Sequence, residues 1–219
     1  IDGSEINKKV YNHPEVAGIP LLFAPMAYHR IMDDHDPAKL IHFYLKEDLT
    51  TQFLAGLSKE DAIIRPVPSV TGNAIEAAIY MGCTEVVLVG QDLSYPMDKM
   101  YAPGAKHVTA EDVERTLRVS AYTLENVSGG VNRASHSMVV TLRGIEELLH
   151  SYPDISFTNT SRYGAKIEYS KWEPLEQVVE RLRDRTVPDD MLELLSSVPD
   201  ALYSERRKQE TKARFAYLS

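Results

Sequence analysis

A chain of 219 residues, 43% hydrophobic and 26% charged, is long enough to bury a core and too apolar to stay disordered. Its formal net charge of -8 weighs against a nucleic-acid-binding face and leaves room for a local basic pocket that holds a phosphate. No run of about 18 apolar residues exists, so no membrane span or membrane partner is expected.

Cys83 is the single cysteine, which excludes an internal disulfide framework and points to a reducing, cytoplasmic setting. It follows Gly82 at a helix end and reads as packing, not as a nucleophile. The seven histidines show no paired metal-ligand spacing, and no metal is expected. The chain opens "IDGSEINKKV", with neither Met nor a signal-peptide pattern. The expectation is that it begins inside a longer protein.

In chain order, "GIPLLFAP" (18–25) is an apolar run between breakers and reads as a buried strand. "KLIHFYL" (39–45) is a second, introduced by the turn "DDHDPA". "DAIIRPVP" (61–68) is a third, stopped by its prolines. "TGNAIEAAIYMG" reads as a helix with Ala74, Ala77, Ala78 and Met81 on its apolar face and Gly82 as its C-cap. "EVVLVG" (85–90) is continuous and β-branched, as a strand covered on both faces of a parallel sheet would be.

Residues 92–109, "DLSYPMDKMYAPGAKHVT", read as a long loop with the makings of a lid. "TAEDVERTLRV" is either a helix capped by Thr109 or an irregular excursion. "SMVVTLRGIEELLHSY" (137–152) is an amphipathic helix stopped by Pro153. "ISFTNTS" is a strand, and "GAKIEY" a turn with a short strand. From "PLEQVVERLRDR" onward the pattern is helical and charged, and "SERRKQETKAR" reads as a solvated helix or tail.

Strands alternating with helices imply an α/β fold with a mostly parallel, Rossmann-like sheet and flanking helices, followed by a C-terminal helical extension. Such sheets bind ligands at the carboxyl ends of their strands. That rule brings three turns to one edge: 68–73, 90–95 and 158–164.

"SVTGN" opens a helix, whose free N–H groups and partial positive charge suit a phosphate or carboxylate. Gly72 allows close approach to the backbone, and Thr71 can cap the helix or bond an anion. "GQDLSY" ends the apolar strand in Asp92, which must lie at an exposed end or meet donors. Asp92 can accept from a ribose or orient a catalytic group, or it can simply cap the turn. Asn159 and Gly164 in "FTNTSRYGAKI" either read a ligand or hold a turn. Tyr101, Lys106 and His107 lie in the lid segment, and His107 is the residue type that activates a hydroxyl near neutral pH. His136 carries a weaker version of that reading. Tyr169 and Trp172 read as packing for the helical extension.

"SVTGNAIEAAIYMGCTEVVLVGQDLSY", then "KMYAPG", "SGGV" and "ISFTNTSRYGAKIEY", resemble the motility-associated factor (Maf) family of flagellin glycosyltransferases. The wider group includes proteins similar to archaeal 6-hydroxymethylpterin diphosphokinase. The helix–strand unit is also similar to that of bacterial sialyltransferases. The resemblance spans about residues 1–169. It implies a Rossmann-like nucleotide-sugar-binding domain over 1–170, lacking its N-terminal part, and a helical segment over 171–219.

The resemblance further implies transfer of a nonulosonic, sialic-acid-like sugar from a CMP donor to Ser or Thr of flagellin, by an inverting enzyme with no required cofactor. By position, Thr71, Gly72 and Asn73 would cradle the donor phosphate and carboxylate. Gly90, Gln91 and Asp92 would line the nucleotide or sugar. Tyr101 falls where the family shows an aromatic residue or His, and Asn159 and Gly164 match a late Asn…Gly-Ala turn. Asp2 matches an acid at the end of an earlier strand. The chain departs from the family in lacking a Gly-rich first turn, and His107 as base has no firm counterpart. Two other readings stay open: an ATP- and magnesium-dependent pterin diphosphokinase-like enzyme, for which "DDHD" (33–36) is the one dense acidic cluster, and a non-catalytic flagellar assembly module.

Overall fold

The computed structural model of the chain describes residues 5, 8, 19–57, 61–98, 110–186 and 205–218. It is a mixed α/β structure with parallel strand pairs, flanking helices and a C-terminal helix. The chain divides into two compact units, residues 1–66 with 186–219, and residues 67–185.

In the first unit, β1 (Leu21–Phe23) pairs in parallel with β2 (Leu40–His42), and β3 (Tyr44–Leu45) with β4 (Ile63–Ile64). Phe43, Leu45 and Ile64 form a small core, with Leu22, Ala24 and Ala62 packed against it. Helix α1 (Leu49–Ala55) starts at Asp48, whose carboxylate accepts from Thr51 N at 3.0 Å, and ends at Gly56 in the left-handed region. Its last carbonyls are met by two arginines. Arg207 Nε donates to Ala55 O at 2.9 Å and Arg214 Nη1 to Leu54 O at 3.2 Å. These cations suit the partial negative charge of a helix C-terminus.

In the second unit, helix α2 (Val70–Tyr80) begins at Ser69, whose hydroxyl accepts from Gly72 N at 2.9 Å. The cap is therefore Ser69 and not Thr71. The buried face of α2 is Gly72, Ile75, Glu76 and Ala77, while Ala74 and Met81 are exposed. Alanines occur on every face of this helix, so the large aliphatics Ile75 and Ile79 decide which face is buried. The C-cap is Met81, and Gly82 follows at φ +91° with its N–H donating to Ile79 O.

Strand β5 (Glu85–Leu88) pairs in parallel with β8 (Ser156–Asn159), which pairs in parallel with β9 (Lys171–Trp172). β5 is thus an edge of the sheet among the described residues, and only Leu88 in it is buried. Glu85, Val86 and Val87 are half-buried, so the full cover of both faces expected from the β-branched run is not reached; β-branching reports strand preference and not burial. Helix α3 (Ala110–Val119) forms where the sequence left two readings open.

The antiparallel hairpin of β6 (Tyr122–Glu125) and β7 (Val131–Ala134) was not anticipated. Its signal was present: "NVSGG" is a turn between two short strand-like runs. Gly129 takes φ +80°, and the Asn126 side chain accepts from Ser128 N and Gly130 N at 3.0 and 2.9 Å.

Helix α4 (His136–His150) is the amphipathic element the sequence indicates. Ser135 caps it, and Leu142, Ile145, Leu148 and Leu149 are buried with Phe157, Ile167 and Leu88 in the main core. Each such aliphatic side chain contributes about 1.5–3 kcal/mol through burial. Gly144 lets α4 meet the turn before α2, since a Cβ there would stand 3.0 Å from Pro68 Cγ. "GAKIEY" forms no strand; it makes a single bridge, Asn126 to Ala165. Helix α5 (Leu175–Leu182) is tied to the sheet by charge, with Arg181 at 2.5 Å and Arg185 at 3.0 Å from Glu85. Helix α6 (Glu205–Leu218), in the first unit, is the segment read as a solvated helix or tail. It contacts α1, and Arg207, Glu210, Thr211 and Arg214 are its half-buried residues.

Candidate functional site

Leu88 of β5, Asn159 of β8 and Trp172 of β9 stand in one register row. The chain leaves the sheet just beyond that row, so the three carboxyl ends lie side by side. Thr160 ties two of them together, with both its N–H and its hydroxyl donating to Leu88 O, at 3.0 and 2.8 Å.

Beyond Leu88 the chain turns twice. Gly90 has φ +70° and Leu93 has φ +49°. Gly90 has open space where a Cβ would go, so its requirement is conformational. Leu93 is buried and takes the left-handed conformation without glycine's freedom, which costs of order 1–3 kcal/mol. The two turns present Gln91 and Asp92 between them.

Asp92 is exposed, and it also meets a donor: the buried Ser161 hydroxyl donates to its Oδ1. The Asp92 carbonyl accepts from Ala165 N at 2.7 Å and from the Ser94 hydroxyl at 3.1 Å. Gly164 packs against this same backbone. A Cβ there would lie 2.8 Å from Asp92 Cα and 2.6 Å from Ser161 Oγ. The late glycine is therefore explained by close packing against the turn that carries Asp92.

The turn before α2 joins the same group, because the Thr71 hydroxyl donates to Gln91 Oε1 at 2.6 Å. That bond leaves the Gln91 amide nitrogen as a donor with no partner among the described residues. The N–H groups of Val70 and Thr71, in the first turn of α2, likewise have none among the described residues. Gly72 is buried against Val67, whose Cγ1 would stand 2.2 Å from a Cβ at that position. Its glycine serves helix packing and does not open a path for a ligand. Asn73 Oδ1 accepts from Val67 N at 3.2 Å and steadies the turn from within.

Asn159 is 1% exposed and works beneath the surface. Its Oδ1 accepts from Ser161 N at 2.9 Å and its Nδ2 donates to Ala165 O at 3.4 Å. It shapes the loop that carries Ser161. Asp2, Tyr101, Lys106 and His107 lie outside the described residues. His136 is exposed, with its ring 5.5 Å from that of Tyr122.

Sequence reasoning missed three contributors. Ser161 fixes the Asp92 carboxylate. Asn132, on β7, donates through Nδ2 to the Ser94 hydroxyl at 2.9 Å and to Tyr163 O at 2.6 Å, which ties the hairpin to both turns. Trp172, expected to pack the helical extension, lies in β9 and donates through Nε1 to Ser161 O at 3.0 Å. None of these carries a local motif; each acts through residues distant in sequence.

A separate cavity of about 230 Å³ in this unit is lined by Arg143, Lys166, Glu125, Glu146 and Glu168 with apolar neighbours. Lys166 there is 2.8 Å from Glu168 and 4.0 Å from Glu125, and those partners raise its pKa above the ordinary lysine value. The cavity includes none of the residues of the three turns.

Chemically, the edge offers backbone and amide donors from Val70, Thr71 and Gln91, and one fixed carboxylate from Asp92. Donors of that kind stabilise phosphate oxygens, and a fixed carboxylate accepts from sugar hydroxyls. Among the described residues, no group of three or more His, Cys, Asp or Glu side chains is arranged to hold a metal ion.

Comparison with known proteins adds to this picture. The family model described as 6-hydroxymethylpterin diphosphokinase MptE-like matches residues 1–98. No curated protein matches the chain. A solved structure described as a MAf glycosyltransferase from Magnetospirillum magneticum AMB-1 is similar, with a TM-score of 0.61 and 17% sequence identity. The likeness covers 98% of this chain and 29% of that one, so the chain spans less than a third of that protein's length. At this identity the likeness shows the fold. The family model covers less than half of the chain, which is similar to that model only over residues 1–98.

Proposed function

We propose that the chain is the donor-binding part of a glycosyltransferase that moves a nonulosonic, sialic-acid-like sugar from a CMP donor to Ser or Thr hydroxyls of flagellin. The observation that carries this reading is the joining of three turns at one sheet edge, through the bonds of Thr71 to Gln91 and of Ser161 to Asp92. The fold shared with a Maf glycosyltransferase supports it.

In this reading the N–H groups at the start of α2 and the Gln91 amide hold the phosphate of CMP, and Asp92 accepts from a hydroxyl of the ribose or the sugar. Asn73, Asn159 and Gly164 hold the turns in place, and Gly90 aims Gln91 and Asp92. The anomeric carbon–oxygen bond to CMP breaks as the acceptor oxygen attacks from the opposite face. The bonding electrons leave on the CMP phosphate, where the α2 donors stabilise the new charge. A base takes the acceptor proton. His107 is proposed for that role, Tyr101 as a second catalytic residue and Asp2 as a donor-binding one.

A second reading is favoured by the family match over residues 1–98: phosphoryl transfer from ATP with magnesium, in the manner of a 6-hydroxymethylpterin diphosphokinase. A thermal-shift panel of CMP, CDP, GDP, UDP and ATP, with and without magnesium, separates the two. Stabilisation by CMP alone is expected. Stabilisation by ATP with magnesium alone transfers the assignment to the second reading, and silence to every nucleotide removes both.

A further inference from the structure

The unit of residues 1–66 and 186–219 contains its own cavity, of about 590 Å³, lined by residues of α1 and α6 together with Pro25 and Tyr44. That volume lies in the range of small-molecule sites, roughly 300–1,000 Å³. Its composition is uneven. Pro25, Tyr44, Leu54, Ala55 and Phe215 give apolar and aromatic walls, while Lys208 and Lys212 stand on the α6 side.

Two of the polar lining residues, Arg207 and Tyr44, are already engaged. Arg207 donates from Nη1 and Nη2 to the two oxygens of Asp61, each at 2.9 Å, and from Nε to Ala55 O. The Tyr44 hydroxyl is 3.1 Å from His42 Nε2. Burial first, and then the nearby Arg207 charge, hold His42 below the ordinary histidine range, so that ring is neutral near pH 7. Lining polar groups that are already partnered, beside apolar and aromatic walls, favour an apolar body over a polyhydroxylated or multiply charged ligand.

The two lysines differ. Lys208 is paired with Glu205 at 2.7 Å. Lys212 is exposed and has no partner among the described residues. It is a positive charge beside an apolar cavity, in a chain of formal net charge -8. Phe215, one helical turn along the same face of α6, is 57% exposed and presents part of its ring to the cavity.

We propose that this cavity binds a small amphiphilic anion, with an apolar, ring-sized body against Tyr44, Leu54 and Phe215 and a single acidic group at Lys212. The site differs in chemistry from the sheet edge of the other unit, where backbone donors and a carboxylate suit a nucleotide. It does not depend on the glycosyltransferase reading.

The test uses the whole 219-residue chain and two fluorescent probes of similar shape, 8-anilinonaphthalene-1-sulfonate and the uncharged N-phenyl-1-naphthylamine. Saturable one-to-one binding of the sulfonate is expected. Lys212→Glu should weaken it about fivefold, the scale of one exposed ion pair, and leave the neutral probe unchanged. Thr211→Trp, which fills the cavity, should abolish both. If Thr211→Trp lowers the melting temperature, Lys212→Glu decides alone, since its site is exposed. Non-saturating uptake, or equal sulfonate affinity in Lys212→Glu and the native chain, overturns the proposal. Competitive displacement of the sulfonate by CMP also overturns it, because the cavity would then belong to the nucleotide.

Discussion

Asp61→Ala is expected to destabilise the unit of residues 1–66 and 186–219 by about 3–5 kcal/mol, the scale for breaking a buried ion pair from one side. The Asp61 side chain is fully buried and the Arg207 side chain is 15% exposed. Both carboxylate oxygens are used in a two-pronged bond to the guanidinium. Removing them strips the largely buried Arg207 guanidinium of its carboxylate partner. Because Arg207 belongs to α6 and Asp61 directly precedes β4, the loss should also free α6 from α1. Urea unfolding followed by circular dichroism measures the first effect, and amide exchange across residues 205–218 measures the second. The double variant Asp61→Leu, Arg207→Met removes both charges and should recover most of the stability. A loss under about 1 kcal/mol in Asp61→Ala would mean that the pair behaves as a solvated surface bridge.

Gly164→Ala is expected to damage the candidate site from behind. The added methyl would stand 2.8 Å from Asp92 Cα and 3.0 Å from Asp92 O, and backbone atoms cannot yield as a flexible side chain does. Overpacking of this kind costs about 1–3 kcal/mol. The cheapest relief is a shift of the 90–95 turn, which pulls the Asp92 carboxylate away from Ser161. Losing a charge-assisted hydrogen bond of about 1.5–3 kcal/mol corresponds to a fall of roughly 10- to 100-fold in affinity for a CMP-type ligand. Gly90→Ala isolates the backbone contribution of the same turn. It meets open space at the same turn, so its cost is limited to the φ +70° backbone, of order 1 kcal/mol. Calorimetric titration with CMP checks the pair. Equal affinity in Gly164→Ala and the native chain would detach Asp92 from binding.

Much of the fold was legible in the sequence, for local reasons. β1, β4, β5, α2, α4 and β8 form where breakers and apolar runs indicate them, while the single strand read over 39–45 divides into β2 and β3, which pair with different strands. Strong periodicity did not settle which face packs. The "AIEAAI" stretch offers small residues all round, and only Ile75 and Ile79 identify the core side. The division at residues 66/67 and 185/186 left no compositional mark.

The three turns that the sequence brought to one edge are joined there, through Thr71 to Gln91 and Ser161 to Asp92. Asp92 lies at an exposed strand end and also meets a donor, the two conditions its position demanded. The glycines at 72 and 164 are set by packing against Val67 and the Asp92 backbone, which no local pattern reveals. Ser161, Asn132 and Trp172 were invisible because their partners lie 69, 38 and 11 residues away.

The proposed function puts the donor nucleotide at the carboxyl edge of the β5–β8–β9 sheet. Amide-resolved NMR titration of the chain with CMP tests it most directly. Saturable shifts clustered at Val70–Thr71, Gln91–Asp92 and Ser161–Arg162 are expected, absent in Asp92→Ala with the remaining spectrum preserved. Saturable shifts confined to residues outside those three turns, or unchanged CMP binding in Asp92→Ala, would contradict it.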